Sequence, residues 1–167
     1  MSRIVMIGGH GKVALLAAPL LVDAGHEVVS LIRNPDHSAD VAATGATPLV
    51  LSVEEADVAE LTRVFAGADA IVWSAGAGGK GGPERTDAVD RAAAIRSMEA
   101  AAAAGVTRYV MVSFLTAYGE VPDDHPLRAY AIAKIAADRH LQTTDLAWTI
   151  LGPGLLTLDE PTGAITV

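Results

Sequence analysis

The stretch RIVMIGGHGKVALLAAPLL, residues 3–21, joins a short apolar run to an Ala- and Leu-rich stretch through the four residues GGHG. The run of Ile, Val and Met predicts a buried β-strand, and the apolar stretch that follows predicts a helix. Glycines at such a junction allow a large, negatively charged group to come close to the main chain. The stretch therefore predicts a strand–turn–helix unit with room for an anionic ligand at its turn.

The composition indicates one folded α/β domain. The chain has 167 residues, of which 51% are hydrophobic and 19% are charged, so it is long enough for one core and short for two. It has no apolar run long enough to span a membrane, and its first strand begins at Arg3, too early for a signal peptide. The absence of cysteine excludes disulfides and thiolate metal sites. We therefore expect a cytoplasmic protein with no membrane association.

The charge of the chain limits its partners. The formal net charge is −8, and the 12 Lys and Arg residues form no basic cluster, so direct binding to nucleic acid is not expected. A small anionic ligand needs only local positive charge, so the net charge does not exclude the binding of one. The histidines outside the glycine-rich turn show no metal-ligand spacing, so no metal site is predicted. They are His26, His37, His125 and His140.

Short apolar runs alternate with helical stretches along the chain. The runs are rich in β-branched residues without polar alternation, which predicts strands buried on both faces of a parallel sheet. Strands are predicted at residues 4–7, 28–32, 47–51, 70–74, 109–112 and 148–151, and helices near 12–24, 37–44, 54–66, 85–104 and 127–143. Right-handed strand–helix–strand units then give one domain, residues 1–167, with a doubly wound, Rossmann-like sheet of strand order 3-2-1-4-5-6 and helices on both faces.

The last residues of the sequence, 164–167, resemble another strand. A strand there would leave a sheet edge uncovered unless something protects it. A homodimer or a regulatory protein partner would provide that cover, and the sequence does not decide between them.

The glycine-rich turn has the spacing of a dinucleotide-binding loop. Gly8, Gly11 and Ala14 fit G-x-x-G-x-x-A, and a register that starts at Gly9 fits G-x-G-x-x-A. One glycine permits the tight turn, another lets a pyrophosphate approach, and the helix N-terminus faces the phosphates. The alternative is a tight turn that binds nothing. The predicted cofactor-binding residues of this turn are Gly8, Gly9, His10, Gly11, Lys12 and Val13.

The residue after the second predicted strand favours NADP over NAD. An NAD site usually has Asp or Glu there to bond the ribose 2′-hydroxyl, whereas this chain has Arg33. An arginine can bind a 2′-phosphate. Two alternatives stay open: Arg33 is a solvated surface residue, or a bend brings Asp36 back toward the ribose. NADP(H) is the predicted cofactor, with NAD(H) as the alternative.

Two further segments carry weaker signals. The stretch VWSAGAGG, residues 72–79, ends a strand in small residues that would let a cofactor lie across the strand tips. Ala75, Gly76 and Ala77 are predicted to bind the cofactor, and a glycine-rich loop without a ligand is the alternative. The acidic residues between positions 87 and 99 are predicted to form the solvated face of a long helix.

The segment YAIAK places a phenol and an amine on one face of a predicted helix. Tyr130 and Lys134 are four residues apart, which brings their side chains together. A nearby ammonium group can lower the pKa of a phenol from about 10, so that it exchanges a proton near neutral pH. The pair is therefore predicted to move a proton in catalysis.

These motifs occur in an order that resembles the atypical short-chain dehydrogenases/reductases. The resemblance is to their small NAD(P)H-binding members, which include NmrA-like and epimerase/dehydratase-like proteins. It rests on IGGHGKVA, LIRNP, GADAIVWSAGAG, AGVTRYVMVSF, YAIAK and WTILGPGLLT, which cover the chain from about residue 3 to its end.

The resemblance implies a role for each matching residue. Tyr130 would be the catalytic acid or base, and Lys134 would bind the nicotinamide ribose and lower the pKa of Tyr130. A hydroxyl after the fifth strand, from Ser113 or Thr116, would orient the substrate. The remaining implied cofactor contacts are Ser52 and Val53 after the third strand, Ser113 after the fifth, and Pro153 and Gly154 beside the nicotinamide.

The chain departs from the family pattern at three points. Many relatives have a second serine where this chain has Phe114, which bears on catalysis. The residue after the third strand is often Asp, which reads the adenine edge, and here it is Ser52. Relatives are commonly some tens of residues longer and carry a substrate-covering segment that this chain is expected to lack.

Three functions follow as alternatives. The first is an NADP(H)-dependent oxidoreductase that acts on a small carbonyl or quinone-like substrate. The second is a redox sensor or regulator that binds NAD(P)H without turnover, which Phe114 favours. The third is an NAD-dependent epimerase or dehydratase, against which the short C-terminal region argues, because a nucleotide sugar needs a larger pocket.

Overall fold

A computed structural model of the chain shows a six-stranded parallel sheet of strand order β3-β2-β1-β4-β5-β6. The structure describes residues 1–78, 80–114, 121–154, 156–157 and 163. The strands are β1 (Arg3–Ile7), β2 (Glu27–Ile32), β3 (Thr47–Val50), β4 (Ala70–Trp73), β5 (Arg108–Val112) and β6 (Ala147–Leu151). The predicted doubly wound, Rossmann-like sheet is confirmed. Each predicted strand is present with its ends shifted by no more than one residue.

The helices cover both faces of this sheet. They are α1 (Lys12–Asp23), α2 (Ser38–Ala43), α3 (Val58–Phe65), α4 (Gly82–Thr86), α5 (Ala94–Ala103) and α6 (Arg128–Gln142), with a 3₁₀ turn at Pro35–His37. Alternate residues of β2 belong to two separate apolar clusters. Val29 and Leu31 join the larger cluster, whereas Val28 and Ile32 pack with α1 and α2 in the smaller one. Because successive side chains of a strand point to opposite faces, both faces are buried.

The predicted helix at 54–66 begins later than expected. Asp57 accepts a hydrogen bond from the backbone N–H of Glu60 at 2.7 Å and caps α3, which starts at Val58. The residues before the cap form a turn in which the N–H of Ala56 donates to the carbonyl of Ser52 at 2.8 Å. This turn keeps the residues after β3 at the carboxyl edge of the sheet.

The predicted helix at 85–104 is not one continuous α-helix. It consists of α4, a π-helical segment at Asp87–Ala93, and α5. A π-helical turn holds one more residue than an α-helical turn, so it shifts which side chains face the sheet. The prediction that the acidic residues here form a solvated face is wrong for Asp90, whose side chain is fully buried.

The register of the strands places their carboxyl ends side by side. Ile7 of β1 lies opposite Leu31 of β2 and Trp73 of β4, and Trp73 lies opposite Met111 of β5. The loops that follow these strands therefore meet at one edge of the sheet. Trp73 is fully buried in the core. None of the described helices is long and apolar enough to cross a membrane.

Candidate functional site

A cleft of about 570 Å³ lies at the carboxyl edge of the sheet, where the chain order reverses between β1 and β4. Ligands of open α/β sheets bind at this switch point. The cleft is lined by Gly8, His10, Gly11, Lys12, Leu31, Ile32, Arg33, Asn34, His37, Leu51, Ser52, Val53, Glu54, Ser74, Ala75, Gly76, Ala77, Gly78, Lys80, Arg85 and Val89.

The glycine-rich turn packs tightly against its neighbours. Gly8 has φ +81°, and a Cβ there would lie 2.6 Å from the Cα of Ala75, so no other residue fits without a shift. Gly9 is buried and does not line the cleft. A Cβ there would lie 2.5 Å from the Cβ of Ser30, so Gly9 allows β2 to pack closely. Gly8 and Gly9 thus allow close packing against Ala75 and Ser30, and Gly8, Gly11 and the start of α1 line the cleft.

The N-terminus of α1 has the features of an anion site. Gly11 is its N-cap residue and makes no side-chain cap, and the first turn of this described helix contains no acidic residue. Its first N–H groups are therefore available to an anion, and Lys12 adds a positive charge at the cleft wall. Ala14 is fully buried, which allows α1 to pack closely on the sheet. Val13 is half-buried and does not line the cleft.

Arg33 lines the far end of the cleft with Ser52 and Val53, as the sequence predicts. Its Nη1 lies 3.2 Å from Oε2 of Glu54. The same carboxylate accepts hydrogen bonds from Nε of Arg85, at 3.1 Å to Oε1 and 3.3 Å to Oε2. These charge-assisted bonds, first of all from Arg85, hold the pKa of Glu54 below its usual value despite partial burial.

Two histidines lie between the glycine-rich turn and the residues after β2. The rings of His10 and His37 stack at 3.6 Å between centroids, and Nε2 of His10 lies 2.9 Å from Oδ2 of Asp40. Both rings line the cleft, whereas the side chain of Asp36, considered as a ribose ligand, does not. His37 and Asn34 are cleft residues that the sequence analysis missed. Both lie within four residues after Arg33, and this nearness in the sequence could have indicated that they line the cleft.

A second group of polar side chains lies beneath the loop after β4. The carboxylate of Asp90 accepts a hydrogen bond from the N–H of Ala77, a cleft residue, at 3.0 Å through Oδ2. Its Oδ1 lies 3.3 Å from Nζ of Lys134, and both side chains are buried. Nζ of Lys134 also donates to the carbonyl of Val112, at the end of β5, at 3.3 Å. Asp90 thus connects the cleft to Lys134.

Asp90 escaped the sequence analysis for a physical reason. A regular α-helix over 85–104 places the acidic residues outside, and the π-helical segment turns this one inward. Its neighbours Val89, Ala93 and Ala94 are all buried. The sequence around it, with Asp87 before it and Arg91 directly after it, gives no sign that this one carboxylate is buried.

Tyr130 and Lys134 lie on one face of α6, as predicted. Nζ of Lys134 is 5.7 Å from the centroid of the Tyr130 ring. The predicted lowering of the phenol pKa is wrong: burial, together with the carboxylates of Asp90 and Asp138, raises the pKa of Tyr130 to about 12. Burial also lowers the pKa of Lys134, which Asp90 opposes. Tyr130 therefore carries its proton at neutral pH.

The hydroxyl of Ser113 is buried and already has a hydrogen-bond partner. It donates to Oδ2 of Asp138 at 2.5 Å, and both residues are buried. Burial raises the pKa of Asp138, while the Ser113 hydrogen bond and Lys134 oppose that rise. The ring of Phe114 meets that of Tyr130 edge-on, with centroids 5.3 Å apart. Thr116, the other candidate for the orienting hydroxyl, lies outside the described residues.

The remaining predicted residues lie at or near the same edge. Ala75, Gly76 and Ala77 line the cleft as expected. Pro153 and Gly154 follow β6 within three residues of its end and do not line the cleft. Within the described ranges, no group of three or more His, Asp or Glu side chains is placed to hold a metal ion.

Comparisons with known proteins agree with this geometry. A protein-family model described as NAD(P)H-binding matches residues 8–167. The uncharacterized sugar epimerase YhfK of Bacillus subtilis is 32% identical over 98% of this chain and 77% of its own length. A Bacillus halodurans structure, proposed to be an NAD-dependent epimerase/dehydratase, is 34% identical over 99% of this chain and 76% of its own, with a TM-score of 0.90.

A second structure, the oxidoreductase ylbE from Lactococcus lactis, is 28% identical with a TM-score of 0.81, over 96% of this chain and 73% of its own. The resemblance that the motifs predicted is confirmed. The chain belongs to the NAD(P)H-binding family, and its relatives include proteins named as epimerase or epimerase/dehydratase.

Proposed function

We propose that this protein is an NADP(H)-dependent oxidoreductase that reduces a small carbonyl or quinone-like substrate. The observation that carries the proposal is the position of Asp90. One carboxylate contacts both the N–H of Ala77 in the cleft and Nζ of Lys134. Tyr130 and Lys134 do not line the cleft themselves, and this shared contact supports one site that includes the cleft and the pair. Such a juxtaposition suits an enzyme whose cofactor must meet a proton donor.

The cleft residues fit a dinucleotide. The uncapped N-terminus of α1 and Lys12 would hold the pyrophosphate. The adenosine end would lie between the residues after β2 and β3, where Arg33 would bind a 2′-phosphate. Lys80 and Arg85 bring the positively charged side chains of the described lining to four, against the single carboxylate of Glu54. This balance supports NADP(H) as the preferred cofactor.

The bound cofactor supplies or accepts a hydride at its nicotinamide ring. The chain would supply the proton. Because burial and two carboxylates hold the pKa of Tyr130 at about 12, the phenol keeps its proton at neutral pH and has one to donate to a carbonyl oxygen, as a weak acid. The Lys134 side chain, 5.7 Å from the ring, would stabilise the phenolate that remains. These features favour the direction of reduction.

One observation favours a second candidate, a redox sensor that binds the cofactor without turnover. The Ser113 hydroxyl donates its hydrogen bond to Asp138, and Phe114 packs against Tyr130. A site in which neither Ser113 nor Thr116 orients the substrate would bind the cofactor and turn over poorly. An epimerase or dehydratase is a third candidate, supported by the names of the relatives from the two Bacillus species.

A screen of NADPH oxidation with a panel of aldehydes, ketones and quinones tests the proposal, with Tyr130→Phe as the matched variant. We expect turnover by the wild-type protein and a loss of about a hundredfold or more in the variant, with NADPH affinity unchanged. Binding without turnover in both proteins would support the sensor. Absence of NADPH binding by the wild-type protein would overturn both.

A further inference from the structure

The adenosine end of the cleft contains a carboxylate that the proposed mechanism does not use. Among the described residues that line the cleft, Glu54 is the only one with a carboxyl group. Its Oε2 lies 3.2 Å from Nη1 of Arg33, the residue proposed to bind the 2′-phosphate. The arginine is therefore already paired with an anion in the protein itself.

Glu54 is held more firmly by its other partner. Nε of Arg85 donates to both carboxylate oxygens, and Nη2 donates to Oε2 at 3.3 Å. Arg85 is itself fixed, because its Nη1 donates to the carbonyls of Ala77 at 3.4 Å and Lys80 at 3.3 Å. The arrangement keeps the Glu54 carboxylate in place at the cleft wall when another group approaches.

Arg33 is the loosely held member of this trio. Its side chain is 61% exposed, against 23% for Arg85 and 27% for Glu54. Arg33 can therefore rotate toward a ligand, but it then loses its ion pair with Glu54, because Arg85 holds that carboxylate in place. A 2′-phosphate would compete with Glu54 for the same guanidinium and would also be repelled by that carboxylate.

We propose that Glu54, positioned by Arg85, determines how strongly the cleft prefers NADP(H) over NAD(H). The proposal rests on the proposed cofactor function of the cleft. Glu54 lowers the affinity for NADP(H), because it pairs with Arg33 and faces the 2′-phosphate. NAD(H) carries an uncharged 2′-hydroxyl at that position, which the carboxylate does not repel, so its affinity depends much less on Glu54. The protein therefore discriminates between the two cofactors less than Arg33 alone would allow.

Fluorescence titrations of wild-type protein and Glu54→Gln with NADPH and NADH test the proposal. Glutamine keeps the length of the side chain and removes its charge. We expect NADPH to bind about three- to fivefold tighter to the variant, the scale of one partly exposed charge pair, and NADH to change by less than about twofold. In an Arg33→Met background, the gain in NADPH affinity from Glu54→Gln should shrink.

The matched control is Glu84→Gln, which removes the same charge from an exposed residue beside Arg85 that does not line the cleft. Equal changes for both cofactors in Glu54→Gln, or a weaker NADPH complex, would overturn the proposal. If Glu54→Gln does not fold, Glu54→Asp, which withdraws the carboxylate from Arg33, should also tighten NADPH binding. Absence of binding of either cofactor to the wild-type protein would instead refute the proposed function.

Discussion

The substitution Asp90→Asn tests the connection between the cleft and Lys134. Asparagine has nearly the same shape and can still accept the hydrogen bond from the N–H of Ala77. It loses the charge that faces Nζ of Lys134 at 3.3 Å, and Lys134 is only 2% exposed. Breaking a buried ion pair by removing one member costs about 3 kcal/mol or more. In this variant Asp138 is the carboxylate that still interacts with Lys134.

The stability lost in Asp90→Asn should decrease as the pH rises. Without Asp90, the pKa of Lys134, already lowered by burial, falls further in the folded protein while its value in the unfolded chain is unchanged. The unfolded state then binds more protons, so the stability of the variant rises with pH up to the unfolded lysine pKa. We expect a destabilisation of about 3 kcal/mol near pH 7 and a clearly smaller one near pH 9.

Urea denaturation followed by circular dichroism at both pH values measures this effect. The matched control is Asp87→Asn in the same π-helical segment, where the carboxylate pairs with exposed Arg91 one turn away. That change should cost less than about 0.5 kcal/mol. The reasoning would be refuted if Asp90→Asn cost no more than the control, or if its cost grew as the pH rose.

Three further outcomes are expected. Because the pKa of Tyr130 is about 12, the rate of carbonyl reduction should stay level up to about pH 10, and a decline near pH 7 to 8 in a rate profile would contradict that value. Gly8→Ala should destabilise the protein by about 2 kcal/mol or more in thermal unfolding, since its φ is +81° and the new Cβ would meet Ala75; an unchanged melting temperature would contradict this. Lys12→Met should weaken NADPH and NADH binding by the same factor, about threefold, because both share the pyrophosphate, and a loss confined to NADPH in the titration would assign Lys12 to the 2′-phosphate instead.

The fold was predictable from the sequence because its signals are local. Each strand is a short β-branched run, and the glycine-rich turn sits between a strand and a helix, so neighbouring residues alone indicate the alternation. The strand order then follows from right-handed connections. Gly9 shows that a local motif does not always predict the role of each of its residues. Its motif position suggests a ligand contact, whereas its packing on Ser30 shows a structural role.

The site was predictable only in part because its contacts join distant segments. The Glu54–Arg85 pair spans 31 residues and the Ser113–Asp138 pair spans 25, and no spacing rule connects them. The π-helical segment that buries Asp90 has no periodic signature. The prediction of a lowered Tyr130 pKa was wrong for the same reason. The i, i+4 spacing indicates Lys134, but it does not indicate the burial and the two carboxylates that raise the pKa.

A crystal structure of the protein grown with NADPH tests the central claim most directly. We predict the pyrophosphate on the first N–H groups of α1, the 2′-phosphate in contact with Arg33, and the nicotinamide ring on the side of the cleft where Asp90 meets Ala77, within reach of Tyr130. A cofactor bound with its nicotinamide remote from Tyr130, or no cofactor in the cleft at saturating NADPH, would contradict the account.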